Sequence, residues 1–281
     1  MQKKVLAIND ISCVGRCSLT VALPIVSSMG VECSILPTAI LSTHTGGFTG
    51  YTFDDYTDKM DGIADHWSSL NRTFDVIYTG FLGSFKQIDV VKGIVNKFKN
   101  ENNLVVVDPA MADNGKMYAI FDMEFANKMK ELCYGADILC PNITEACFLT
   151  DTPYEEGPHS KEFIETLISR LKKLNIKAVV LTGVTFDGIN LGAYSYDYVG
   201  DKSYYYAKEI INDYFHGTGD CFASALVGAL AKNKSLELSS KIAVEFTVDS
   251  IKQTIKYEGI DKKYGVCFEE CLYNLAGGLY E

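Results

Sequence analysis

The sequence predicts an α/β fold: a mostly parallel sheet covered by helices on both faces, with a small antiparallel edge. Three observations carry this. Short apolar runs alternate with segments of helical periodicity along most of the 281 residues. Two runs, 104–107 and 178–181, are apolar throughout, as strands buried on both faces are. Over 192–207 the alternation gives way to two adjacent strand-like runs across a short turn.

Taken in order, residues 5–8 form the first strand, ended by Asn9 and Asp10, with a loop over 9–15. Leu19, Leu23 and Val26 set a helix within 17–29, where Pro24 marks a kink or a late start and Gly30 is a C-cap. Residues 33–36 are a second strand. Residues 38–50, rich in hydroxyls and glycine, form a long loop that is either functional or merely a surface excursion. An amphipathic helix over 56–70 holds Trp67, the one tryptophan. Strands follow at 76–79, 104–107, 136–140 and 178–181, with helices at 86–100, 122–134, 143–149 and 161–174 between them. The antiparallel pair is 192–196 and 202–207. After it come a glycine-rich loop, a buried helix over 222–230 and a long helix over 238–255. No repeat or linker divides the chain, so 1–281 reads as one domain.

Composition narrows the class. With 47% hydrophobic residues the chain can bury a large core. The net charge of −10 argues against nucleic acid as a partner but leaves room for a nucleotide held by backbone amides and a metal. No run is long enough to span a bilayer, and the N-terminal apolar run is too short for a signal peptide. The expectation is a cytoplasmic protein with small-molecule substrates. Nine cysteines without a C-x-x-C, and with no histidine near the Cys13/Cys17 or Cys267/Cys271 pairs, read as reduced, buried side chains rather than a zinc site.

In such sheets ligands bind beyond the carboxyl ends of the strands. The residues there are Asn9, Asp10, Tyr78, Gly80, Asp108, Asn142, Thr182 and Gly183. The stretch His216-Gly217-Thr218-Gly219-Asp220-Cys221 adds to them. Gly217 and Gly219 free the backbone for positive φ and close approach, and the first turn of the next helix leaves N–H groups open to an anion. Asp220 there suits a general base facing a substrate hydroxyl, or else Thr218 or Asp220 merely caps the helix. Cys221, at the same helix start, is either a stabilised thiolate or an inert buried thiol. Asp108 and Asp113 can face one metal. Asn142 and Glu145 suit magnesium through water, or form a capping box. Lys116 is a phosphate cation or a solvated turn residue. There is no G-x-x-x-x-G-K-[ST] and no complete dinucleotide fingerprint, which excludes a P-loop enzyme and a Rossmann dehydrogenase.

Four stretches in order, 78–84 (Tyr-Thr-Gly-Phe-Leu-Gly-Ser), 108–113 (Asp-Pro-Ala-Met-Ala-Asp), 141–146 (Pro-Asn-Ile-Thr-Glu-Ala) and 217–220 (Gly-Thr-Gly-Asp), resemble the ribokinase-like superfamily. Within it they are similar to the pyridoxal and pyridoxine kinases and the related hydroxymethylpyrimidine kinases. The resemblance covers residues 7 to about 230. It implies a three-layer α/β/α sandwich and transfer of the ATP γ-phosphoryl group to a ring hydroxymethyl group. By this resemblance Asp220 takes the hydroxyl proton, and Gly217, Thr218 and Gly219 form the anion hole. Asp108, Asp113, Asn142 and Glu145 match positions that hold magnesium, its waters and the phosphates, and Thr182, with Gly183, matches a nucleotide contact. Thr43, His44 and Thr45 resemble a vitamin-facing Asn-His-Thr, and Tyr78 matches an aromatic near that ring. Asn9 and Asp10 stand where pyridoxal kinases often have Gln-Ser, and the segment 9–18 leans towards the pyrimidine enzymes. These departures bear on ring choice. The resemblance implies a homodimer and leaves activation by a monovalent cation open. A non-catalytic vitamin- or nucleotide-binding protein on the same fold is the reading from another class.

Overall fold

The computed structural model describes residues 1–278 and 280. Nine strands form one sheet in the order β11-β10-β9-β8-β5-β4-β1-β2-β3. The parallel body comprises β1 (Lys4–Val14), β2 (Glu32–Thr43), β4 (Val76–Thr79), β5 (Leu104–Val107), β8 (Ile138–Leu139) and β9 (Ala178–Val184). The antiparallel pair β10 (Asn190–Asp197) and β11 (Lys202–Glu209) extends the sheet beyond β9. At the other edge β3 (Phe53–Asp55) returns antiparallel along β2.

Alternation along the strands divides the core into two layers, because successive side chains point to opposite faces. Leu6, Ile8, Ile77, Val105, Val107, Leu139, Val179 and Leu181 join one cluster. It packs against α2 (Thr57–Ser69), α3 (Phe85–Phe98), α4 (Met123–Cys133), α5 (Ile143–Thr150) and α6 (Lys161–Leu171). Val5, Ala7, Val76, Tyr78, Val106, Ile138, Ala178 and Val180 join the other. That layer meets α1 (Leu19–Ser28), α7 (Thr218–Ala231), α8 (Leu236–Thr254) and α9 (Leu272–Ala276). The result is the expected three-layer sandwich. Helix α7 is buried almost all round, which its unbroken apolar sequence requires. No helix among the described residues is long and apolar enough to cross a membrane.

Several elements differ from the sequence expectation. Strand β1 does not stop at Ile8 but runs to Val14, and β2 runs on to Thr43, the two still pairing beyond a register shift between Asn9 and Ile11. The polar residues there are buried, so polarity signalled a loop where the ladder continues. Residues 38–43 of the expected long loop belong to β2, and β3 follows after its end. Asn114 and Gly115, both at positive φ, make a two-residue turn joining β6 (Ala112–Asp113) to β7 (Lys116–Met117). Helix α7 begins at Thr218 rather than Phe222, so most of the presumed glycine loop is its first turn. Pro24 lies inside α1, and Gly30, at φ +74°, follows its end as expected.

Candidate active site

Strand ends reach the same level because ladder hydrogen bonds carry on past them. The Gly80 N–H donates to the Ile8 carbonyl, Asp108 N–H to Thr79, Cys140 N–H to Val107 and Thr182 N–H to Pro141, at 2.8–3.0 Å. Beyond these ends opens a cleft of about 910 Å³. Asp10, His44, Thr45, Asp108, Asp113, Asn142, Glu145, Thr182, Gly183, Gly217, Thr218, Gly219 and Asp220 all line it. Asn9, Thr43 and Tyr78 do not. Thr43 is the last residue of β2 and is half-buried. Tyr78 is fully buried on the face of β4 turned to α7, as its alternation with Val76 dictates. The aromatic that does reach the cleft from this stretch is Phe81, three residues on, which the sequence reading passed over. Lys116 is exposed on β7 and lies outside the lining.

The N-terminus of α7 is open. Its N-cap, Gly217, has φ 76° and no side chain caps the helix. A Cβ on Gly217 would lie 2.0 Å from the Arg16 carbonyl oxygen, so both backbone and packing demand glycine. Gly219 differs: it lies within the helix, and a Cβ there would meet nothing within 4 Å. Open space towards the cleft lies on that side of the helix. The Cys221 N–H is taken by the Gly217 carbonyl, while the N–H groups of the first turn before it belong to the set a helix cannot bond internally.

Asp220 stands in this first turn, facing Asp10. Burial pushes its carboxyl up to about 7, helped by the Asp10 charge and opposed by the Ser18 backbone N–H and the Asn9 amide. The Asn9 Nδ2 makes no hydrogen bond of normal geometry and acts on Asp220 as a nearby dipole. The Asn9 Oδ1 accepts from the Asp10 N–H at 2.9 Å. Asp10 itself accepts from Ser18 Oγ at 2.5 Å and Ser12 Oγ at 3.1 Å, yet burial still raises its pKa. A carboxylate whose pKa lies near neutrality at an open anion site is matched to taking a proton from an alcohol.

On the opposite wall Asp108 is raised well above the usual range, by burial first and then by Glu145 and Asp220. No described group donates a hydrogen bond to its carboxylate, so it has the free oxygens and the excess negative charge that a cation would relieve. Glu145 is otherwise placed. Its two oxygens accept from the Met111 N–H at 3.0 Å and the Asn142 N–H at 2.8 Å. The Asn142 Oδ1 accepts in return from the Glu145 N–H at 2.8 Å, completing a capping box on α5. Burial pushes Glu145 up to about 8. Asp113 accepts from its neighbour Asn114. The three carboxylates expected to share a metal therefore do not form one ligand set. Among the described residues no three His, Cys, Asp or Glu side chains converge on an ion position. Asp108 alone has the chemistry for a site completed by phosphate oxygens and water.

His44 has both ring nitrogens engaged. Its Nδ1 accepts from the Gly46 N–H at 3.2 Å, so the proton sits on Nε2, which donates to the Lys263 carbonyl at 2.6 Å. Farther along the cleft Leu191, Ile210, Ile211, Val244, Val248 and Ile251 supply an apolar wall. Cys221 is fully buried, and burial beside Asp220 pushes its thiol well up. Of the two readings, the structure gives the inert thiol.

Comparison with known proteins identifies the family and the fold. Residues 25–265 match the family model for phosphomethylpyrimidine kinase. A pyridoxal kinase of Dictyostelium discoideum is 29% identical over 270 residues, 90% of this chain and 87% of that protein. A crystal structure from Bacteroides thetaiotaomicron, provisionally described as a phosphomethylpyrimidine kinase and containing pyridoxal, superposes with a TM-score of 0.92 at 36% identity, covering 98% of this chain and 96% of that one. The pyridoxal kinase of Lactobacillus plantarum superposes with a TM-score of 0.90 at 27% identity, covering 99% and 98%.

Proposed function

The chain belongs to the phosphomethylpyrimidine kinase family, and from that premise we propose that it is a pyridoxal kinase, phosphorylating the 5′-hydroxymethyl group of pyridoxal, pyridoxine or pyridoxamine with ATP. The observation that carries the reading is Asp220 at the uncapped start of α7, inside the cleft. Asp220 accepts the hydroxyl proton as the oxygen attacks the γ-phosphorus. The backbone N–H groups around Gly217, Thr218 and Gly219 face the charge that develops on the transferring phosphoryl. The vitamer ring lies towards Asp10, His44, Thr45 and Phe81. The adenine end lies along the apolar wall of α8 and β10, near Thr182 and Gly183. The free carboxylate of Asp108 would hold magnesium, which neutralises phosphate charge when bound. Glu145 and Asn142 hold the backbone around Asp108 rather than the ion.

The unbroken nine-stranded sheet supports a single domain over 1–281. A homodimer and a cytoplasmic location belong to the same proposal. The second reading, a hydroxymethylpyrimidine kinase, is favoured by the family model itself. The test is ADP release from Mg-ATP with pyridoxal, pyridoxine, pyridoxamine or hydroxymethylpyrimidine as acceptor. Turnover on the B6 vitamers supports the first reading, and turnover on the pyrimidine alone replaces it with the second. Tight vitamer binding without turnover points to a binding protein.

A further inference from the structure

The site just described must hold a phosphorylated product, yet no Lys or Arg is among the described residues lining the cleft. Backbone N–H groups and a metal supply part of the positive field. Any side-chain N–H donor would have to come from the histidines and amides of the walls, and most of these are committed. His44 has a partner on each nitrogen. His159 Nδ1 lies 3.1–3.3 Å from the Thr185 backbone, and the ring is stacked on Phe163. Asn142 Nδ2 donates to the Ala112 carbonyl at 2.7 Å, and Asn114 Nδ2 to Asp113 at 3.0 Å.

His216 is the exception. Its imidazole lines the cleft, half-buried, and has no hydrogen-bond partner among the described residues. What it has is packing. The rings of His44 and Tyr214 lie 5.1 Å away. A Cβ on Gly46 would come within 2.6 Å of its Cε1, and one on Gly47 within 3.5 Å of its Nε2. Gly46 thus makes room for a ring held between the loop after β2 and the first turn of α7, with Gly47 in contact distance beside it. It stands one residue before Gly217, between the vitamer side of the cleft and the anion hole. Burial and the neighbouring His44 lower its pKa, so it offers a neutral N–H.

We propose that His216 donates a hydrogen bond to the phosphoryl group once that group is on the vitamer oxygen, so that it distinguishes product from substrate. This rests on the pyridoxal kinase reading and adds a residue to it. A hydrogen bond to a charged group is worth about 1.5–3 kcal/mol, or roughly 10- to 100-fold in affinity.

The experiment is titration of the protein with pyridoxal 5′-phosphate and, separately, with pyridoxal, read by calorimetry. His216→Phe keeps a packed ring without the donor, and His216→Gln keeps a donor. Phe is expected to weaken pyridoxal 5′-phosphate at least tenfold and pyridoxal less than about twofold. Gln is expected to recover part of the difference. Equal weakening of both ligands by both variants means that the ring only packs, and overturns the inference, as does unchanged product affinity in both. A wild-type protein that binds neither ligand overturns the kinase reading and this inference with it.

Discussion

Replacing Asp220 by Asn should make the protein more stable while removing its turnover. The folded carboxyl is raised from 3.8 to about 7, chiefly by burial. A rise of about 3 units corresponds to roughly 4 kcal/mol at about 1.4 kcal/mol per unit. One side of the carboxylate faces the cleft, and solvent screening there leaves about 2–4 kcal/mol. The sign follows from the direction of the shift. An acid whose folded pKa exceeds its unfolded value favours the folded state when protonated. That advantage is complete below the unfolded pKa and is lost as pH rises through the folded one. Wild type therefore bears the full penalty at pH 8, and the Asp220→Asn variant bears none. The amide oxygen of the introduced side chain still accepts from the Ser18 N–H, so no buried donor is orphaned. Urea unfolding should show the variant more stable by about 2–4 kcal/mol at pH 8, the gap narrowing by about half at pH 5.5. Turnover should fall by about 10² to 10⁴. Equal stability at pH 8, or a gap that ignores pH, would refute the placement of a strained, buried base.

The same geometry separates the two glycines of the anion hole. Gly217→Ala meets both a positive φ and the Arg16 carbonyl, and should cost at least about 2 kcal/mol of stability. Gly219→Ala meets open space, so the protein should fold normally and lose at least about tenfold in kcat/KM, a loss that steady-state kinetics would detect. For the base itself, kcat/KM should fall as pH drops below about 7, because Asp220 must be ionised to accept a proton; a flat profile from pH 5.5 to 8 contradicts this. Peptide mapping after brief iodoacetamide treatment at pH 8 should find exposed Cys13 labelled and Cys221 untouched. Labelling of both at one rate would show that the α7 start is not packed as described.

The sandwich was legible because strand and helix periods differ, and runs such as 104–107 and 178–181 are apolar on both faces only when covered twice. The polar strand ends pointed to the cleft for the same topological reason. Asn9 to Ser12 misled, since their polarity answers to partners elsewhere: Asp10 is bonded to Ser12 and Ser18, inside a continuing strand. Tyr78 could have been placed from alternation alone. It shares a face with Val76, so it belongs to the core, and its hydroxyl is left without a partner there. The Asn142–Glu145 spacing suited both a capping box and a metal; only the Met111 N–H, 34 residues away, decides between them. The Asn-Gly turn at 114–115 was readable as a tight hairpin turn, and it sets Lys116 opposite Asp113.

The central claim is that Asp220 deprotonates a vitamer hydroxyl at the mouth of α7. The most direct test is formation of pyridoxal 5′-phosphate from pyridoxal and Mg-ATP, followed by its absorbance, with wild type and Asp220→Asn at equal vitamer saturation. The account predicts product with wild type and at least a hundredfold less with the variant, its pyridoxal affinity unchanged. Comparable product from both proteins would contradict it.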